Sequence, residues 1–213
     1  YRRDRPLALT GWLHIALFGS FLVASLIDDR TILGINAWIK PMKFAASIAI
    51  YVWTIAWFLE YVTGPHWAKR LISYGTATAM VVEIVCIGGQ SFRGTTSHFN
   101  IHSPLDSAIF SVMGLFIYLN LIFAAIPLIL LFLRQVGLAK PYLWAIRVGL
   151  FLSILGGFEG FVMVSHLGHT IGRTENGPEA LQPNLQEFDG RLVNTASVLP
   201  DGGPGLPIVN FST

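Results

Sequence analysis

Five long apolar runs dominate this chain: Leu7 to Ile27, Phe44 to Thr63, Leu71 to Gly88, Ala108 to Leu133 and Tyr142 to His166. A helix crossing a hydrocarbon layer needs about 20 mostly apolar residues, because each residue rises ~1.5 Å and the layer is ~30 Å thick. The runs lack the polar/apolar alternation of barrel strands. The expected fold is therefore all-α, a polytopic transmembrane bundle of five spans over residues 1–171. Short links at Gly64 to Arg70 and Arg134 to Pro141 make the flanking helices antiparallel neighbours. Composition agrees: 53% of residues are hydrophobic and 12% charged, against roughly 25% charged in ordinary soluble domains. A net charge of +2 is too small for a nucleic-acid surface. The lone Cys86 forms no internal disulfide and says nothing about redox compartment. No secretory signal peptide is read at the N-terminus.

Residues 172–213 are Gly- and Pro-rich, include Pro200-Asp201-Gly202-Gly203-Pro204-Gly205 and have no spanning run. Turn chemistry dominates there, and a flexible tail and an irregular cap over the helix ends are both open readings. Lys and Arg placement sets orientation. The N-terminus, second link and fourth link hold Arg2, Arg3, Arg5, Lys69, Arg70, Arg134, Lys140 and Arg147. The other side holds Arg30, Lys40, Lys43, Arg93, Arg173 and Arg191. Eight against six favours a cytoplasmic N-terminus and puts the C-terminal segment outside.

Ionisable residues inside spans are costly, about 2.5–3.5 kcal/mol for Asp, Lys or Arg at a helix centre, so they pair, line a wet cavity or hold a ligand. Glu83, Cys86 and Gln90 recur at i, i+3, i+7 and share one face of the third span. Glu159 and His166 share a face of the fifth, two turns apart, and His169 follows. Gly149, Ser153, Gly156, Gly157 and Gly160 give that helix a small-residue stripe roughly 100° around, suited to close packing. The link after the third span adds His98 and His102. The topology sends this link to the same side as His166 and His169, so an outer-face cluster of Glu83, His98, His102, Glu159, His166 and His169 is expected. Imidazole and carboxylate suit zinc or iron. Haem b would need axial histidines from facing elements, such as His98 or His102 opposite His166. The plainer reading is a polar network that only holds helices together, with Arg93 and Arg173 as partners for the two acids. His14 and His66 fall toward the inner side, and Cys86 reads as an inert apolar residue or a soft ligand.

Lys40-Pro41-Met42-Lys43-Phe44 enters the second span, with Pro41 tolerated near a helix start. Lysines at an interface snorkel to headgroups; the alternative is an anionic ligand such as lipid phosphate on Lys40, Lys43 and Arg93. Asn120 and Pro127 mark the fourth span, where Pro127 predicts a kink. Trp53 and Trp57 are expected between helices, and the other tryptophans in interfacial belts. No P-loop, dinucleotide glycine fingerprint, His-Glu-x-x-His, Gly-x-Ser-x-Gly or Cys-x-x-Cys-His occurs.

Lys40 to Phe44, and Arg93-Gly94-Thr95-Thr96-Ser97-His98-Phe99-Asn100, resemble segments of an uncharacterised bacterial multi-pass membrane family, as does Gly202-Gly203-Pro204-Gly205-Leu206-Pro207. The resemblance spans most of the chain. It implies a bacterial inner-membrane protein with further C-terminal helices, and carries no activity. Three functions stay open: metal or haem binding at the Glu/His cluster; an accessory subunit of a membrane complex or homo-oligomer; and a metal-dependent hydrolase with Glu83 or Glu159 as general base. The lipid bilayer is the partner common to all three.

Overall fold

A computed structural model describes residues 4–100 and 103–166, with side chains through residue 162, and two short strands farther along. Five helices, each long and apolar enough to cross a membrane, make up the fold: α1 (Arg5–Ile27), α2 (Ile39–Tyr61), α3 (His66–Phe92), α4 (Pro104–Leu133) and α5 (Lys140–His166). They mark a multi-pass membrane protein. A hairpin of β1 (Thr31–Ile32) and β2 (Ile35–Asn36) joins α1 to α2. Strands β3 (Leu185–Phe188) and β4 (Arg191–Asn194) pair antiparallel with Leu185 opposite Asn194. The rest of residues 167–213, and with it the choice between tail and cap, lies outside the described residues.

The helices extend past the apolar runs at their N-terminal ends because polar turns can be helical too. α2 begins at Ile39 and so includes Lys40 to Lys43. α4 starts where Ser103 caps it: its Oγ accepts the Asp106 N–H at 3.1 Å and donates to Asp106 Oδ2 at 2.6 Å, with Pro104 at a position that needs no N–H. Asp4 does the same for α1, accepting from Leu7 N at 3.0 Å, and ties it to α3 through the Ser73 hydroxyl at 2.7 Å.

α1 packs on α2 and α3, α3 on α2 and α4, and α4 on α5. Core residues include Leu7, Ile48, Val52, Ile72, Ile84 and Leu131. Polar residues stitch the helices where oil offers nothing else. His14 is buried with Nδ1 2.7 Å from the Thr10 carbonyl and Nε2 3.3 Å from that of Met80, while Asn120 Nδ2 donates to the Tyr51 hydroxyl at 3.0 Å. Small residues permit close approach: a Cβ on Gly75 would fall 2.5 Å from Phe123, and one on Gly157 2.4 Å from Leu121. Trp53 packs against Gly11 as expected, but Trp57 is 45% exposed rather than enclosed. Pro127 lies within α4 and is buried. Arg147 of α5 donates to the Leu131 carbonyl at the end of α4 and sits 4.3 Å from the Phe132 ring centre.

Candidate functional site

The site forms at the hairpin end of the bundle, where the loop from Arg93 folds back between the C-terminus of α3 and the N-terminus of α2. Two backbone features shape this loop. Gly94 turns the chain with a positive φ of 72°, and Thr95 N–H returns to the Gln90 carbonyl at 3.0 Å. Phe99 also has a positive φ, 57°, which costs a residue with a side chain about 1–2 kcal/mol. The surroundings hold it there. Its ring meets Phe110 at 5.7 Å between centroids, and the neighbouring Asn100 donates from Nδ2 to Thr95 Oγ1 at 2.8 Å and to the Thr96 carbonyl at 3.0 Å.

That conformation delivers His98 onto α3. Its Nε2 lies 3.9 Å from Glu83 Oε1, and its Nδ1 lies 3.0 Å from Ser97 Oγ. Phe44 and Phe110 flank the ring at 5.8 and 6.5 Å between centroids. Burial, reinforced by the Lys40 ammonium, pushes the imidazole down to about 3, so it is neutral at pH 7. Glu83 is 2% exposed, and its Oε2 has no hydrogen-bond partner among the described residues. A carboxyl and an imidazole thus face each other, the acid enclosed and the ring partly exposed. Lys40 exerts its charge on both from the first turn of α2.

The other expected site residues divide. Lys40 and Lys43 line one cavity of 260 Å³ beside this pair. Arg93 does not join them, nor does it pair with Glu83. It ion-pairs with Asp106 at 2.6 Å and also donates to Gln90 Oε1, while Gln90 Nε2 donates to Asp106 Oδ1 at 3.0 Å. Gln90 therefore serves the α3–α4 junction, although it shares a helix face with Glu83. Glu159 is exposed on α5 and does not come to the Glu83–His98 pair. The side chain of His166, and all of His102 and His169, lie outside the described residues. Among the described residues no three His, Cys, Asp or Glu gather as a metal would require, so Cys86 does not complete a set with Glu83 and His98.

Lys40, expected from the sequence as an interfacial or anion-binding cation, also exerts its charge on Glu83 and His98. The one available signal was that Lys40 falls at the same membrane side as the outer ends of spans three and four. Comparison with known family models, curated proteins and solved structures finds no match for this chain.

Proposed function

We propose that this multi-pass membrane protein binds a divalent first-row metal ion, zinc or iron, on Glu83 and His98. The observation that carries the reading is the pair itself: an enclosed carboxylate whose Oε2 has no partner among the described residues and whose Oε1 lies 3.9 Å from Nε2 of the half-buried His98. Oxygen and nitrogen ligands each sit about 2.0–2.2 Å from zinc, so a single ion bridges such a gap. Ser97 at Nδ1 is the outer partner that fixes a ligating ring. His102, four residues farther along the loop, is the candidate third ligand. The resemblance of residues 40–44 and 93–100 supports a bacterial inner membrane, and the cation count supports a cytoplasmic N-terminus.

Elemental analysis of the full chain, purified in mild detergent without chelator, tests this. One zinc or iron per chain is expected, lost in both Glu83→Gln and His98→Asn and kept in Glu159→Gln. Metal content equal in wild type and both site variants overturns it.

A second reading is favoured by α5. Glu159 is exposed there, and a Cβ on Gly149, Gly156 or Gly160 would meet nothing within 4 Å. An acid turned to lipid is expensive, so this side supports docking of another membrane helix, as in an accessory subunit or homo-oligomer. A solitary monomer on native gels and by cross-linking in membranes counts against it.

A further inference from the structure

The 260 Å³ cavity beside His98 has walls from three elements: the β1–β2 hairpin, the first turn of α2, and the loop after α3. Among the described residues its charged wall residues are Lys40 and Lys43, one helical turn apart, and no carboxylate joins them. Neither lysine has a hydrogen-bond partner among the described residues. Thr96, another wall residue, is 8% exposed, and its Oγ1 has no hydrogen-bond partner among the described residues. A buried hydroxyl without a partner is unfavourable; this one belongs to a wall residue of a cavity carrying two positive charges, its oxygen enclosed behind the cavity surface. The remaining walls are apolar and include Ile32, Ile35 and Phe44. Leu33, at the hairpin tip, is half exposed despite a positive φ of 56°, a conformation in which glycine or asparagine is the ordinary choice. An apolar side chain there suits an interface better than water.

We propose that this cavity binds a phosphate-bearing ligand, its oxyanion on Lys40 and Lys43, with the Thr96 hydroxyl turning from its enclosed position to donate to it. Charge-assisted bonds to ammonium groups provide the hold. Isoleucine and phenylalanine walls accept an adjoining hydrocarbon, so a phospholipid headgroup and free phosphate share the chemistry, and the apolar walls favour the lipid. The site uses side chains distinct from Glu83 and His98 and stands whether or not these bind a metal.

The test is calorimetric titration of the full chain in uncharged detergent at low salt, where surface screening is least. The probes are dihexanoyl phosphatidylglycerol, inorganic phosphate and, as an uncharged control, dihexanoylglycerol. Saturable binding of the phospholipid is expected, weakened about tenfold or more in Lys40→Gln/Lys43→Gln and severalfold in Thr96→Val, since bonds to charged groups outweigh neutral ones. Lys40→Arg/Lys43→Arg restores most of the affinity and guards against a folding defect in the neutral variant. Phospholipid binding that excess inorganic phosphate does not displace identifies the headgroup source; full displacement, with phosphate binding alone, identifies free phosphate. Unchanged affinity in both the double variant and Thr96→Val overturns the site, as does equal binding of dihexanoylglycerol or no saturation with either phosphate probe. Metal content retained in Thr96→Val keeps failure here apart from failure of the Glu83–His98 reading.

Discussion

Glu83 and Glu159 are both acids inside apolar helices, yet the fold treats them differently. α3 is packed by α1, α2 and α4, whereas α5 packs chiefly on α4. Glu83 is consequently enclosed and meets His98 and the field of Lys40. Glu159 lies two residues from Gly157, which packs against Leu121. Two residues are about 200° around a helix, so Glu159 points away from the bundle. A carboxylate's chemistry in a membrane follows from how many helices surround its own, and neither hydropathy nor helical spacing reveals that number.

The sharpest way to break the comparison is to make both acids apolar. Glu83→Leu should abolish metal binding while raising the melting temperature of the metal-free protein, because a buried carboxyl oxygen without a hydrogen-bond partner is costly. Glu159→Leu should leave metal content unchanged and, if α5 docks a partner, alter migration on native gels. Lys40→Gln sharpens the contrast from the other side. With a neighbouring positive charge removed, the Glu83–His98 pair should bind metal severalfold more tightly, as followed by competition with a chelating dye. A Glu83→Leu protein that keeps its metal, or melts lower than wild type without metal, assigns Glu83 a role in holding helices together.

Asp106 marks the next effect in size and is also where sequence reading stopped short. Its carboxylate takes donors from Gln90, Arg93 and Ser103. Asp106→Ala should destabilise the protein by about 2–3 kcal/mol, since it strands charge-assisted partners, and should separate the α3 and α4 ends without touching Glu83. Thermal unfolding measured in detergent checks this. All five helices were legible because length and hydropathy alone define a span. The partner of Arg93 was not, because Asp106 lies thirteen residues on, across a loop whose course depends on Gly94 and Phe99 adopting positive φ. Gln90 shares a face with Glu83 by spacing, but a long side chain at the helix end turns to the nearest unpaired carboxylate. Likewise, the proximity of Lys40 to the α3 acid comes from how α2 and α3 pack.

A smaller effect separates the two glycine populations. Gly75→Leu should cost about 1–3 kcal/mol because overpacking forces a neighbour to move, here the Phe123 ring. Gly156→Leu meets open space and should leave the melting temperature of the monomer unchanged. If it instead shifts migration on native gels, the open side of α5 is an interface. Equal destabilisation by both substitutions would mean that α5 is enclosed on two sides, and that Glu159 is less exposed than the comparison requires.

The smallest effect is a pH slope. Folded His98 titrates at about 3 against an ordinary value of 6.5. Between those values the unfolded chain binds a proton that the folded chain refuses, so stability falls as pH drops from about 6.5 toward 3 and is level above. Asp28, at the hairpin, is held below its ordinary 3.8 by the Arg30 guanidinium and the Trp38 indole N–H. Its contribution is present above 3.8 and lost only as pH falls below that value, so the two groups act in separable windows. Melting temperatures recorded between pH 4 and 8 should decline for wild type below about 6.5 and decline less for His98→Asn. Identical profiles would mean that His98 takes up its proton in the folded protein. A protonated imidazole donates to Glu83 instead of facing it as an acceptor, and the vacancy that invites a metal ion would then already be filled by that proton.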